Sequence, residues 1–218
     1  MLSVPLEARL QEGAQLLCLG AHCDDIEIGC GATLLKLLDR RPDLRVHWVV
    51  FSSDDQRARE ARESASQFLG RAKSVEVVIK SFRNAYFPAV ACHIKDDFEA
   101  LKREVVPDLI FTHYENDGHQ DHRVVSELTW NTFRNHLILE YEIPKYDGDL
   151  RRPNVFSCVE DADGQRKIDM IMQCFASQRD KQWFDPDVFR AMLRLRGMES
   201  NSPTRFAEAF YCRKLVLG

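Results

Sequence analysis

Short runs of branched apolar residues alternate with amphipathic stretches through the first half of the chain. Gln15–Gly20 (QLLCLG), His47–Ser52 (HWVVFS), Ser74–Ile79 (SVEVVI) and Asp108–Thr112 (DLIFT) are such runs. Near-continuous hydrophobicity over five or six residues is what a strand buried on both faces requires, so these four segments predict parallel strands. Between them the apolar positions recur with a helical period. Ile28, Leu34, Leu35 and Leu38 mark one helix; Ala58, Ala61, Ala65, Phe68 and Leu69, ending at Gly70, mark a second; Ile94, Phe98, Leu101 and Val105, stopped before Pro107, mark a third. Strand and helix in strict alternation build right-handed βαβ units. The expected fold is therefore α/β, a three-layer, open, mostly parallel Rossmann-like sheet with helices on both faces.

After Thr112 the rhythm changes. A helix is predicted over Asp121–Asn135, then a strand over Leu137–Ile143, a polar, turn-rich surface excursion over Lys145–Pro153, a strand over Val155–Val159, a helix over Gly164–Phe175 and a last strand over Phe210–Leu217. These form an α+β C-terminal portion. No repeat, low-complexity tract or linker divides the 218 residues, so residues 1–218 are expected to form one domain.

Composition narrows the class of partner. Thirty Lys and Arg against 34 Asp and Glu leave a formal charge of −4 with no one-sidedly basic stretch, which argues against nucleic acid. A small-molecule partner is expected, and self-association into a homo-oligomer is left open. The opening residues carry no basic and apolar leader pattern, and no window matches a membrane span. Seven cysteines, an odd number without a C-x-x-C pair, read as reduced thiols and place the protein in the cytoplasm.

In an open α/β sheet, ligands bind beyond the carboxyl ends of the strands. Two strand-following loops there hold the same types of side chain: Ala21-His22-Cys23-Asp24-Asp25 after the first strand, and His113 through His122 after the fourth. Imidazoles with carboxylates suit zinc or a similar divalent ion, and a catalytic zinc uses three protein ligands with one position left for water. His22, Asp25 and His122 can supply that set. Asp24, its neighbour pointing elsewhere, is then free to act as a general base. Asp121 is either a carboxylate that orients an imidazole or the N-cap of its helix. His47, His93 and His136 lie outside both clusters and are assigned to ordinary polar roles.

At these residues the sequence resembles the LmbE-like (PIG-L) family of zinc-dependent deacetylases, whose motifs A-H-P-D-D-E and H-x-D-H stand here as AHCDDIE and HQDH. The resemblance implies hydrolysis of an N-acetyl group from an amino sugar, an N-acetylglucosamine-type derivative. It implies His22, Asp25 and His122 as metal ligands and Asp24 as the base. It adds His119 as the residue that stabilises the oxyanion or protonates the leaving amine, a task for which nearby carboxylates would favour the protonated ring. Arg57 matches a family Arg that can hold an anionic part of the substrate, and Asn84 stands where the family often has a sugar-contacting Asp. Cys23 replaces the motif Pro, and the motif Glu is displaced by one residue to Glu27.

Two rivals follow from the same residues. Gly29-Cys30-Gly31 with Asp54 or Asp55 suggests a nucleotide-binding Rossmann-like protein, but the glycines fall inside the predicted helix, where close packing explains them better. A non-catalytic metal or sugar binder that kept its ion as a structural element would more naturally close it with four ligands rich in cysteine, and this set is neither.

Overall fold

The computed structural model describes residues 3–216. After a single helical turn, α1 (Leu6–Arg9), the elements run β1 (Gln15–Gly20), α2 (Asp25–Arg40), β2 (Arg45–Val50), α3 (Asp55–Phe68), β3 (Ser74–Ile79), α4 (Ala91–Glu104), β4 (Leu109–His113), α5 (Gln120–Thr132), β5 (Leu137–Tyr141), β6 (Val155–Val159), α6 (Asp161–Cys174), α7 (Pro186–Glu199) and β7 (Phe206–Tyr211). A short 3-10 turn, Phe87–Val90, leads into α4. One sheet of seven strands carries all of this, in the order β3-β2-β1-β4-β5-β7-β6. β1 to β5 are parallel, and β7 alone runs against its neighbours.

The period-two alternation of the strands sorts the core into two layers. Leu16 and Cys18 of β1, with Val46, Trp48 and Val50 of β2, face a cluster that includes residues of α2, α3, α6 and α7. Leu17 and Leu19, with Val49, face the opposite cluster with Ile94 and Phe98 of α4 and Val125 of α5. Helices therefore cover both faces, as expected. Among the described residues no helix is long and apolar enough to cross a membrane.

Several boundaries differ from expectation. β2 begins at Arg45, where backbone pairing with Ser74 of β3 extends it ahead of the apolar run. The last strand is Phe206–Tyr211, because Phe206 to Phe210 pair with β6; of the expected Phe210–Leu217 segment only Phe210 and Tyr211 are strand, and Leu217 lies outside the described residues. Helix α7 was not expected at all. Its signals are nonetheless local: Asp185 caps it by accepting the Asp187 N–H at 2.7 Å, Pro186 occupies the first turn, and Phe189 and Leu193 are its buried stripe. Phe184 and Phe210 join the same core, and Arg196 of α7 is buried in a two-pronged pair with Glu142 at 2.7 and 2.9 Å.

Gly29 and Gly31 lie inside α2 as the packing argument requires. A Cβ on Gly29 would come within 2.2 Å of the Tyr141 ring, and one on Gly31 within 2.7 Å of Phe68. The stretch lies against a buried pair: Lys167 Nζ donates to the Ile28 carbonyl and to Glu208, both at 2.6 Å, while Glu208 accepts the N–H groups of Ala32 and Thr33. These glycines serve contact between elements and do not form a dinucleotide loop.

Candidate metal and catalytic site

Adjacent parallel strands β1 and β4 end at the same edge of the sheet, at the point where the strand order reverses direction. The loop after β1 and the loop after β4 therefore meet, and the two sequence clusters are brought together. His22 Nδ1 lies 3.1 Å from His122 Nε2 and 3.3 Å from Asp25 Oδ2; His122 Nε2 lies 3.5 Å from Asp25 Oδ1. Ligand atoms of a tetrahedral ion bound at about 2.0–2.1 Å stand about 3.3–3.4 Å apart. The triad thus has donor types that suit a small divalent ion, its carboxylate meeting the two rings through different oxygens, and it overlaps two sets whose ligand atoms all lie within 4.8 Å of one another, His22–His119–His122 and Asp25–His113–His122. Asp25 opens α2, and its carboxylate accepts the His22 N–H at 2.6 Å, which closes the turn and aims both side chains the same way.

Further polar contacts surround the candidate ligands. Asp121 Oδ2 lies 3.2 Å from His22 Nε2, which leaves Nδ1 as the nitrogen turned toward the triad; against burial, Asp25, Asp121 and Asp24 raise the ring to about 9, so an ion bound at Nδ1 would displace a proton. The carboxylate is held by the backbone N–H groups of Ala85 (2.6 Å) and Phe87 (3.1 Å). The helix cap is instead His119, whose Nδ1 accepts the Asp121 N–H at 3.2 Å. Asp121 therefore does not cap its own helix, and its carboxylate contacts the His22 ring. On the other side, Asp117 Oδ2 stands 3.1 Å from His122 Nδ1, off the line of an ideal N–H bond, and 2.9 Å from Lys145 Nζ.

Two adjacent carboxylates, Asp24 and Asp25, are driven apart electrostatically. Burial pushes Asp24 up to about 6 against the pull of Arg57. Burial acts on Asp25 too, yet His122, His113 and His22 together hold its carboxyl well below the usual range. Burial, reinforced by His113, takes His122 down to about 3, which leaves it neutral and able to donate a lone pair. Asp24 Oδ1 pairs with Arg57 at 3.0 Å, while Oδ2 is buried without a partner. An ionisable group poised near neutrality beside an ionised one is the usual division between a proton acceptor and a fixed charge.

His119 departs from expectation. Burial and the neighbouring His22 lower its pKa despite the carboxylates, so its resting form is the neutral ring. Because Nδ1 accepts a backbone N–H, the proton sits on Nε2, and the ring meets His22 edge-on at 4.8 Å. It can still donate one hydrogen bond. Arg57 is largely enclosed, contacting Asp24 and the Cys23 carbonyl at 3.0 Å. Asn84 is exposed on the loop beside Ala85, whose N–H meets Asp121. The Cys23 thiol points away from the triad and donates to the Ser52 carbonyl at 3.3 Å.

Two residues at the site had no assigned role in the sequence. His113, fully buried, places Nε2 2.9 Å from the Ala21 N–H and 3.1 Å from Asp25 Oδ2, and with Asp25 and His122 forms a second group of possible ligands. Its position as the last residue of an apolar strand was the available signal. Lys145 is drawn inward from a stretch expected to be a surface excursion, because it has carboxylates to meet there.

Comparison with known proteins bears on the family and the fold. The family model described as "PIG-L: GlcNAc-PI de-N-acetylase" matches residues 17–133, more than half of the chain and a span containing both motifs. The uncharacterised deacetylase YaiS of Escherichia coli (strain K12) is 28% identical over 145 residues, 59% of this chain and 74% of the relative. Among solved structures, the N,N'-diacetylchitobiose deacetylase of Pyrococcus horikoshii, complexed with an inhibitor, superposes with TM-score 0.63 at 19% identity, covering 97% of this chain and 94% of that one. The zinc-inhibited form of teicoplanin deacetylase Orf2 gives 0.73 at 13% identity, covering 91% and 97%. The hydratase GalB of Pseudomonas putida KT2440 gives 0.70 at 14% identity, covering 94% and 98%, so the shared fold alone does not determine the reaction. The family match does the deciding, and by it this chain belongs to the PIG-L family of deacetylases.

Proposed function

We propose that the protein hydrolyses the acetamide of an amino sugar, an N-acetylglucosamine-type derivative, releasing acetate and the free amine. The observation that carries this reading is the unpartnered, buried Oδ2 of Asp24 next to a His22–Asp25–His122 triad in which each pair of side chains approaches to 3.1–3.5 Å. Two imidazoles and one carboxylate suit zinc, and when bound such an ion makes water acidic near neutral pH and polarises an amide carbonyl.

The chain's own groups would do the rest. Asp24 Oδ2 takes the proton of the attacking water, and Arg57, paired to Oδ1, keeps the carboxylate aimed. Asp121 holds the proton of His22 on Nε2 throughout. Nε2–H of His119 donates to the oxygen that becomes negative as the carbonyl is attacked, a contact commonly worth about 3–4 kcal/mol in the transition state. The proton for the departing amine comes from Asp24, which received it one step earlier. Asn84, exposed near Asp121, is positioned to meet a sugar hydroxyl as donor or acceptor.

The decisive experiment is mass spectrometry of a panel of acetylated amino sugars and their conjugates, incubated with zinc-replete protein and with its Asp24→Asn variant. Loss of one acetyl group with the wild type only is the expected result. A zinc-loaded wild type that deacetylates nothing in the panel, or a variant as fast as the wild type, would remove this assignment.

A further inference from the structure

The connection between β5 and β6 reaches back into the site through one side chain. Lys145 Nζ donates to the Ile143 carbonyl at 2.9 Å and to Asp149 Oδ2 at 2.7 Å, and lies 2.9 Å from Asp117 Oδ2. Two hydrogen bonds and an ion pair thus engage the ammonium, and the side chain is only 11% exposed. Its two carboxylate partners each touch the loop that follows β4. Asp117 faces His122 Nδ1 at 3.1 Å with Oδ2 and accepts the His119 N–H at 2.7 Å with Oδ1. Asp149 accepts the Gly118 N–H. A Cβ on Gly118 would stand 2.9 Å from Asp147, so the two loops are in direct contact.

We propose that Lys145 is a positioning residue of the hydrolytic site: as the counter-ion of Asp117 and the anchor of Asp149, it sets the orientation of the His122 ring and of the backbone carrying His119. The proposal rests on the reading of His122 as a metal ligand. Carboxylates behind ligating histidines fix ring orientation and basicity, and Asp121 behind His22 is one such partner here. Asp117 behind His122 differs in being buried against a lysine. Without the ammonium, Asp117 Oδ2 keeps only the ring as its charged or polar side-chain neighbour on that side, and nothing from the β5–β6 connection fixes the carboxylate against it. A lysine that merely tied down a loop would have no need to share a carboxylate with the ring.

The test is a double-mutant cycle of Lys145→Met and Asp117→Asn, read by zinc affinity in chelator competition and by kcat and KM separately. Loss of such an outer partner typically costs about 10–100-fold in metal affinity or activity. Lys145→Met is expected to fall in that range in zinc affinity and in kcat with KM little changed. Lys145→Arg should recover most of both, and the double variant should be no worse than Asp117→Asn alone, since the two residues act as one unit. Should Lys145→Met not fold, Asp117→Asn, which preserves shape, against Lys145→Arg carries the comparison: zinc affinity lost in the first and kept in the second is expected. Wild-type zinc affinity and kcat in Lys145→Met, or in Asp117→Asn, or additive losses in the double variant, would overturn the proposal. His122→Ala run alongside separates the two levels, since unchanged zinc binding in that variant overturns the ligand reading itself.

Discussion

Asp24 and Asp25 are the same residue type one position apart, and their surroundings make them different reagents. Asp25 is surrounded by three imidazoles and stays ionised; Asp24 meets one guanidinium and is otherwise enclosed, which raises it to about 6. Asp24→Asn should therefore keep its zinc, measured by elemental analysis, while turnover falls by about 10²–10⁴-fold, the usual contribution of a positioned base. Zinc lost together with activity would make Asp24 a ligand. Cys23 supplies the contrasting case. Its thiol donates to the Ser52 carbonyl and burial raises its pKa, so it is neither ligand nor nucleophile. Cys23→Ser should cost about 1 kcal/mol of stability or less in urea unfolding, because the hydroxyl can make the same bond, with zinc content unchanged. A large loss of bound zinc in that variant would put the thiol back in the site. The pattern of His and Asp in the two loops was legible because catalysis needs those residue types. Lys145 was not, because a lysine in a turn-rich segment has the same local signature whether it faces water or a buried carboxylate.

At the scale of elements, the position of the site depends on how closely α2 approaches the sheet. The helix begins at the metal-ligand candidate Asp25 and passes Tyr141 of β5 so tightly that Gly29 has no room for a methyl group. Gly29→Ala would drive a Cβ to 2.2 Å from that ring, deep in backbone-supported packing, whereas Gly31→Ala meets Phe68 at 2.7 Å, the edge of one side chain. Overpacking of this kind costs about 1–3 kcal/mol or more. Gly29→Ala should be the more destabilising of the two by denaturant titration, and equal costs would show that α2 can shift as a body. Lys167→Met tests the other side of the same helix. It would leave Glu208 buried without its cation, a loss of about 3–5 kcal/mol for a broken buried pair. The strands β1 and β3 and most helices were readable from apolar periodicity alone. Edges set by pairing were not: β2 starts early because β3 offers partners, and β7 ends at Tyr211, paired with Glu140 of β5 one residue past its last β6 partner. Helix α7 had its cap, its Pro and its apolar stripe in plain view, and was obscured only by the short helical period between two polar turns.

For the whole molecule, an ion held between loops from β1 and β4 would bind the folded chain and not the unfolded one. Binding linkage then stabilises by about 2.7 kcal/mol at a zinc concentration of one hundred times Kd. The thermal midpoint of chelator-treated protein should rise on adding zinc, and that of His122→Ala should not; a midpoint unmoved by zinc in the wild type would argue that the triad holds no ion. The sequence by itself determined the alternation of strands and helices, the two loops rich in His and Asp, and the family, because hydrophobic period and motif spacing are local properties that survive without coordinates. Only the tertiary structure decided which oxygen of Asp24 is left free, that Asp121 orients His22 while His119 caps the helix, and that Lys145 turns inward to Asp117. Each of those depends on atoms brought within about 3 Å either across a folded turn or by segments as far apart as the 99 residues between His22 and Asp121, a proximity that no pattern along one chain encodes.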